Sequence, residues 1–168
     1  MDFKRTTMKI RFATKEDVPA ILHLIKSIAD YEKLLHEVTA TEEILYDSLF
    51  VKQAAEVLLG EKDGKIIGFA LFFHNFSTFT GKRGLYLEDL YMLPEYRHLG
   101  FGKQFFAELM KIARERNCGR MEWICLDWNT PAIQFYKENI GATSLDDWTL
   151  YRLSEEQLSN SFPNFVTF

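Results

Sequence analysis

Two adjacent carboxylates, Glu88 and Asp89, stand between Leu87 and Leu90 in an otherwise apolar segment. Burying a carboxylate without a partner is costly, so we expect a polar or cationic group to meet this pair. Strict alternation along a strand sends neighbouring side chains to opposite faces, which favours one functional carboxylate unless a bulge intervenes. The pair therefore indicates a base or a cation site, with a structural carboxylate bonded to nearby backbone as the alternative.

A glycine-containing loop follows the same segment and reads Arg97-His98-Leu99-Gly100-Phe101-Gly102-Lys103. Glycines let successive N–H groups point at one anion, and the start of the helix that follows adds the positive end of its dipole. A Walker A loop would need glycine in place of Arg97 and Ser or Thr in place of Gln104, and a Rossmann loop would need a small residue in place of Phe105. The loop therefore predicts a phosphate site of another kind, or a turn without a ligand.

Hydrophobic periodicity and turn signals predict the elements that position these groups. Helices are predicted after Thr14, after Thr41, from the glycine loop to Asn117, and from Thr130 to about Ile140. Strands are predicted at residues 8–12, 56–61, 65–76, 84–93, 120–127 and 148–153, with a short polar helix and an aromatic tail, residues 162–168, behind the last strand. The order β-α-α-β-β-β-α-β-α-β is typical of one mixed α/β domain.

Length and composition favour a single domain at residues 8–168, preceded by a flexible segment at residues 1–7. The 168 residues are 47% apolar and 15% aromatic, which is enough for one sizeable core. The net charge of -4 argues against a general nucleic-acid-binding protein and suits a cationic partner better.

The sequence indicates neither a secretory signal nor a membrane span, because the N-terminus lacks an apolar core and the longest apolar run, residues 66–73, is too short. The two cysteines are expected to be core thiols in a reducing compartment, so we expect a soluble cytoplasmic protein. The four histidines are scattered and none has zinc-ligand spacing, so no metal site is expected.

The glycine loop resembles the pyrophosphate-binding motif Arg-x-x-Gly-x-Gly of the GCN5-related N-acetyltransferase (GNAT) superfamily. Three more segments are similar to its spermidine/spermine (diamine) acetyltransferase branch, which includes thialysine acetyltransferase-like proteins: Tyr86-Leu87-Glu88-Asp89-Leu90, Asp127-Trp128-Asn129-Thr130-Pro131-Ala132 and Phe135-Tyr136-Lys137. The resemblance extends from about residue 8 to about residue 153. It implies a GNAT-like domain whose mixed, mostly antiparallel sheet has splayed central strands and flanking helices, with acetyl-CoA as co-substrate and a homodimer.

The resemblance also implies where acetyl-CoA binds. The pyrophosphate would meet the backbone amides of the glycine loop, and the pantetheine arm would run along the strand before it. The implied cofactor-binding residues are Leu90, Tyr91, Met92, Arg97, His98, Leu99, Gly100, Phe101, Gly102, Lys103, Asn129, Pro131, Ala132 and Tyr136. An ordinary helix cap is the alternative for Asn129, and the two roles are compatible.

Acetyl transfer needs a neutral amine, and deprotonating an alkylammonium at neutral pH costs about 4 kcal/mol. The resemblance implies Glu88 as the base, acting through water, with Asp89 as a lesser substrate contact. It implies Tyr136 as the general acid, because a phenol can protonate a leaving thiolate. The spacing of Tyr136 with Ile133 and Ile140 also fits a core tyrosine.

The resemblance implies an acidic and aromatic amine pocket, which suits an alkylammonium through ion pairing and cation–π contacts. Its residues would be Tyr31, Glu32, Glu88, Asp89, Glu122, Trp123 and Trp148. Each aromatic could equally be a core residue. Leu34-Leu35-His36 and Phe76-Ser77-Thr78-Phe79 depart from the polyamine pattern, so a polyamine, a shorter diamine, a lysine analogue such as thialysine, or another primary amine stays open. The alternatives are a protein or peptide N-acetyltransferase and a non-catalytic acyl-CoA-binding module.

Overall fold

A five-stranded sheet in the order β1-β2-β3-β4-β5 carries the helices in the computed structural model, which describes residues 7–159. The strands are β1 (Lys9–Phe12), β2 (Glu56–Lys62), β3 (Lys65–Ser77), β4 (Lys82–Met92) and β5 (Met121–Glu122). The helices are α1 (Val18–Tyr31), α2 (Glu42–Tyr46), α3 (Phe101–Glu115), α4 (Thr130–Gln134) and α5 (Glu155–Ser159). The first four strands pair antiparallel and β5 pairs parallel with β4, so the predicted mixed, mostly antiparallel sheet is confirmed.

Local interactions explain where α1 begins and where α3 ends. Ahead of α1, the backbone N–H of Thr14 donates to the carboxylate of Asp17 at 2.7 Å, which stabilises the chain entering the helix. One face of α1 and one face of α3 are buried, as the apolar spacing predicts. α3 ends just before Asn117, whose positive φ of 55° is the left-handed conformation that stops helices.

The core has one apolar cluster on each face of the sheet. The cluster between α3 and the sheet includes Phe72, Leu85, Leu87, Phe101, Phe105 and Phe106. The cluster between the sheet and α1 and α2 includes Ile21, Leu24, Leu49, Leu59, Phe69 and Tyr91. Fully burying one such side chain contributes about 2 kcal/mol before entropy costs, so these clusters hold the ends of β4 and α3 in place.

β4 contains a bulge at the carboxylate pair. Asp89 pairs with Leu71 and Leu87 pairs with Phe72, so Glu88 is an inserted residue without a partner of its own. Asp89 therefore shares a face with Leu71, which packs toward α1. Glu88 is exposed, whereas Asp89 is partly buried.

β4 and β5 diverge soon after they meet. They pair only at Leu85 with Met121 and at Tyr86 with Glu122. The predicted strand at residues 120–127 is therefore too long, because Trp123 leaves the ladder to pack its ring on Phe106. Within residues 7–159 no strand pairs with the β5 side of the end of β4, which leaves an open gap along that side of β4.

The predicted strand at residues 148–153 is wrong. These residues have no regular secondary structure, and the side chains of Trp148 and Tyr151 are 74% and 89% exposed. Their alternation fits a strand, but no partner strand in the described part of the chain meets them. The short polar helix behind them is present as α5, whereas residues 1–6 and the predicted aromatic tail lie outside the described residues. No helix within residues 7–159 has the length and apolarity needed to cross a bilayer.

Candidate active site

The glycine loop joins β4 to the N-terminus of α3. His98 has a φ of 62° and Gly100 a φ of 83°, so the chain curls twice before α3 begins at Phe101. No side chain of the described residues caps this helix start, and its first N–H groups have no acceptors inside the helix. A Cβ added at Gly100 would meet nothing within 4 Å. The amides of residues 98–103 bond to no side chain of residues 7–159, so the loop presents them and the positive dipole end to an open space, as an anion site requires.

Arg97 is held against the end of α1 and the end of β4. Its Cζ atom lies 4.6 Å from the ring centre of Tyr31 and 5.2 Å from that of Tyr91. Its Nε atom donates to the carbonyl of Met92 at 3.1 Å. The sequence predicts Arg97 as a cofactor contact, and its side chain here fixes the glycine loop to two tyrosine rings.

Asn129 joins α4 to α1. Its side-chain oxygen accepts from the N–H of Ala132 at 3.4 Å, which caps α4, and from the hydroxyl of Tyr31 at 3.1 Å. Asn129 is only 8% exposed, and Pro131 occupies the first turn of the helix. The cap that the sequence leaves open as one role of Asn129 is therefore present.

Tyr136 lies in a π-helical turn, Phe135–Ile140, that continues α4. Its ring centre is 5.2 Å from that of Trp123, 5.9 Å from that of Phe106 and 5.6 Å from that of Phe135. Burial raises the pKa of Tyr136, and the negative charges available at Cys125, Glu32 and Asp89 raise it further. The phenol therefore keeps its proton at neutral pH and can act as a donor.

Asp89 and Glu32 form an acidic pair near Tyr136. Burial raises the pKa of Asp89 to about 7, and repulsion from Glu88 and Glu32 adds to that shift. Burial also raises the pKa of Glu32. A bound cation would stabilise the ionised forms of these two carboxylates. The pair is therefore a candidate site for an ammonium group.

The structure brings Tyr31, Glu32, Asp89 and Tyr136 together but separates other predicted pocket residues from them. Glu122 accepts from Asn75 at 2.7 Å and pairs with Arg120 at 2.9 Å, so its carboxylate is already engaged. Trp148 projects into solvent. Trp123 packs on the ring of Tyr136 and forms a wall for it.

Three residues near the site, Cys125, Trp128 and Lys33, are absent from the amine pocket that the sequence predicts. Cys125 is close enough to influence the titration of Tyr136, and burial raises the pKa of the Cys125 thiol itself. Trp128 lies 6.0 Å from Tyr31, ring centre to ring centre, and carries the ammonium group of Lys33 over its face. The position of Trp128 directly before the Asn129 cap was the available signal. Across residues 7–159, no group of three His, Cys, Asp or Glu side chains could hold a metal ion.

Solved structures share this fold. An integron cassette protein of Vibrio cholerae superposes with a TM-score of 0.75 over 91% of this chain and 96% of its own, at 24% identity. An aminoglycoside acetyltransferase from a soil metagenome superposes with a TM-score of 0.74 over 88% of this chain and 97% of its own, at 18% identity. The architecture is therefore that of known acetyltransferase structures.

The chain belongs to the acetyltransferase (GNAT) family, whose model matches residues 19–142. It is 34% identical to an L-ornithine N5-acetyltransferase of Arabidopsis thaliana, over 92% of this chain and 87% of that one. It is 35% identical to a thialysine N-epsilon-acetyltransferase of Bos taurus, over 89% of this chain and 94% of that one. A spermidine/spermine N(1)-acetyltransferase-like protein of Homo sapiens is also 35% identical, over 89% of this chain and 23% of its own length.

The family assignment confirms the predicted superfamily and branch. Members of the family use acetyl-CoA as co-substrate, and the chain is an acetyl-CoA-dependent N-acetyltransferase. The open amides of the glycine loop suit the pyrophosphate of that co-substrate, and the gap beside β4 suits its extended arm.

Proposed function

We propose that the protein acetylates the primary amine of a small cationic metabolite: a diamine, a polyamine or a lysine analogue. The observation that carries this proposal is the acidic pair of Asp89 and Glu32 near Tyr136, because an ammonium group would stabilise both carboxylates. The names of the relatives, which specify ornithine, thialysine and spermidine or spermine, give the same class of acceptor.

For the co-substrate, we propose the residues that the resemblance implies. The backbone amides of residues 98–103 would hold the pyrophosphate, and residues 90–92 would pair with the pantetheine arm through backbone groups on the open side of β4. Asn129, Pro131 and Ala132 would form the opposite wall, where α4 begins. Acetyl-CoA, when bound, supplies the thioester whose acetyl group is transferred.

We propose that three side chains divide the proton transfers. Asp89, whose pKa of about 7 suits a base at neutral pH, would accept the proton of the bound ammonium. Glu88, exposed at the bulge, would pass it to solvent through water. As the new C–N bond forms and the C–S bond breaks, Tyr136 would donate its phenolic proton to the departing sulfur and regain a proton from the nitrogen of the new amide.

We also propose a homodimer in the cytoplasm. Exposed apolar side chains follow one another between α4 and α5, and such surfaces are typical of interaction sites. They are Leu145, Trp148, Leu150, Tyr151 and Leu153. The absence of a disulfide among the described residues fits a reducing compartment. Sedimentation velocity at several concentrations tests the dimer, and a single monomeric species at all of them would contradict it.

Thiol release from acetyl-CoA tests the proposed acceptor. Purified protein should release CoA with polyamines, short diamines, ornithine or thialysine, and much more slowly with N-terminal or lysine peptides. The Asp89→Asn variant, which removes one carboxylate of the acidic pair, should lose most of this release. Release with peptides alone, or acetyl-CoA binding without release to any amine, would overturn the proposal in favour of a peptide acetyltransferase or a binding module.

A further inference from the structure

Lys33, which directly follows Glu32 at the end of α1, has an unusual backbone conformation. Its φ is 63°, which is uncommon for a residue with a side chain. Two backbone bonds fix this turn at the end of α1: Lys33 N–H donates to Asp30 at 3.0 Å and Leu34 N–H donates to Ala29 at 2.7 Å. Residues held in such a conformation persist where the surroundings determine them.

The turn separates two adjacent side chains of opposite charge. Glu32 is partly buried, and its carboxylate is near enough to Asp89 and Tyr136 to raise the pKa of both. Lys33 is exposed, and its Nζ atom lies 5.6 Å above the ring centre of Trp128. At the end of α1, Glu32 therefore places a negative charge close to Asp89, whereas Lys33 places a positive charge over the ring of Trp128.

Trp128 links the Lys33 ammonium to Tyr31, one of the predicted pocket residues. Its ring lies 6.0 Å from that of Tyr31, and the next residue, Asn129, accepts the hydrogen bond of the Tyr31 hydroxyl. None of the carboxylates within residues 7–159 forms an ion pair with Lys33. Its charge is therefore held in place and is not neutralised by an acid of the described chain.

A positive charge at the rim discriminates between otherwise similar amines. If one ammonium of a diamine lies near Asp89 and the other lies beside Trp128, the second ammonium is repelled by the like charge of Lys33. An amino acid with a side-chain amine carries a carboxylate beside its α-ammonium, so its far end has no net charge and the carboxylate is attracted to Lys33. We propose that Lys33 recognises the carboxylate of an amino acid that carries a side-chain amine, and that it selects such diamino acids over diamines. This inference rests on the proposed small-amine function.

Ornithine and 1,4-diaminobutane test the inference, because they differ only by the carboxylate. We expect the wild-type protein to have the higher kcat/KM with ornithine. Lys33→Met should lower kcat/KM for ornithine by about 3- to 5-fold, as expected for one lost exposed ion pair, and change that for 1,4-diaminobutane by less than about twofold. Lys33→Glu should reverse the preference, and Lys33→Arg should retain it. Lys65→Met, at the exposed β2–β3 turn, controls for the loss of one positive charge.

If Lys33→Met lowers kcat/KM equally for both substrates, the role of Lys33 is overturned and the proposed function still stands. The same holds if Lys33→Glu leaves the ratio of the two kcat/KM values unchanged. A wild-type preference for 1,4-diaminobutane would overturn it as well. If the wild-type protein acetylates neither substrate but acetylates peptides, the proposed small-amine function fails, and this inference fails with it.

Discussion

The hydroxyl of Tyr31 donates a hydrogen bond to the side-chain oxygen of Asn129 at 3.1 Å, although 98 positions separate the two residues. The same Tyr31 ring stacks on Arg97 of the glycine loop. One side chain at the end of α1 therefore contacts both the loop before α3 and the cap of the helix that continues to Tyr136.

Tyr31→Phe keeps the ring on Arg97 and removes only the bond to Asn129. We expect the free energy of unfolding to fall by about 1 kcal/mol and kcat to fall because the start of α4 loses a partner, while acetyl-CoA affinity stays nearly unchanged. Denaturant unfolding, steady-state kinetics and calorimetry measure the three effects. Tyr46→Phe, on the exposed side of α2, is the control. Wild-type stability and kcat together would contradict the link.

Asp89→Asn should change how stability depends on pH. In the folded protein the pKa of Asp89 is about 7, above the 3.8 that is usual for an aspartate, so the folded state holds the proton more tightly than the unfolded chain does. The stabilisation that this tightly held Asp89 proton gives the folded state is complete below about pH 4 and is lost as the pH rises through 7. The stability of Asp89→Asn relative to wild type should therefore increase from about pH 5 to about pH 8, by about 1 to 3 kcal/mol.

Urea unfolding of both proteins at the two pH values checks this difference, with the exposed Asp30→Asn as the charge control. If the difference between wild type and Asp89→Asn stays constant across this range, Asp89 is not the buried, proton-retaining group described here.

Turnover should separate the roles of the two adjacent carboxylates. We expect the wild-type rate to rise through about pH 7, and we expect Asp89→Asn to remove that rise and to lower kcat/KM for the amine by about 100-fold or more, because the base is lost. Glu88→Gln should lower turnover by less, with the loss shrinking at high pH where free amine is abundant. A larger loss in Glu88→Gln than in Asp89→Asn would assign the base to Glu88, the residue that the family resemblance selects.

Gly100→Ala tests the phosphate loop with little steric disturbance. The new Cβ would meet no atom within 4 Å, but alanine is strained at a φ of 83°, by about 1 kcal/mol. Gly64→Ala, in the β2–β3 turn, has the same strain and the same open space and is the matched control. Both variants should lose similar stability, and only Gly100→Ala should weaken acetyl-CoA binding, by about 10-fold in calorimetry. Equal affinities in the two variants would remove the loop assignment.

Local patterns were sufficient to predict much of the fold. Thr14 with Asp17 and the apolar spacing behind them predict α1, and the Asp63-Gly64 turn predicts the hairpin of β2 and β3, because each signal acts within a few residues. The strand expected at residues 148–153 failed because alternation indicates which side chains share a face and cannot indicate whether a partner strand exists.

The site was harder to predict because its contacts join distant segments. Nothing local shows that Glu88 is a bulge residue, and therefore that Asp89 is the carboxylate turned toward Glu32. Gly102 fits a phosphate loop by sequence. A Cβ there would also lie 3.2 Å from Cζ of Phe135, so close packing against that ring is a second reason for glycine at this position. That contact depends on how α3 and α4 meet in three dimensions.

The kcat of Tyr136→Phe tests the central claim most directly. The substitution removes one hydroxyl and keeps the ring that packs on Trp123 and Phe106, so stability and acetyl-CoA affinity should remain close to wild type. If the phenol protonates the leaving thiolate, kcat should fall by about 100-fold or more. A normal kcat in a folded Tyr136→Phe protein that binds acetyl-CoA would contradict the account.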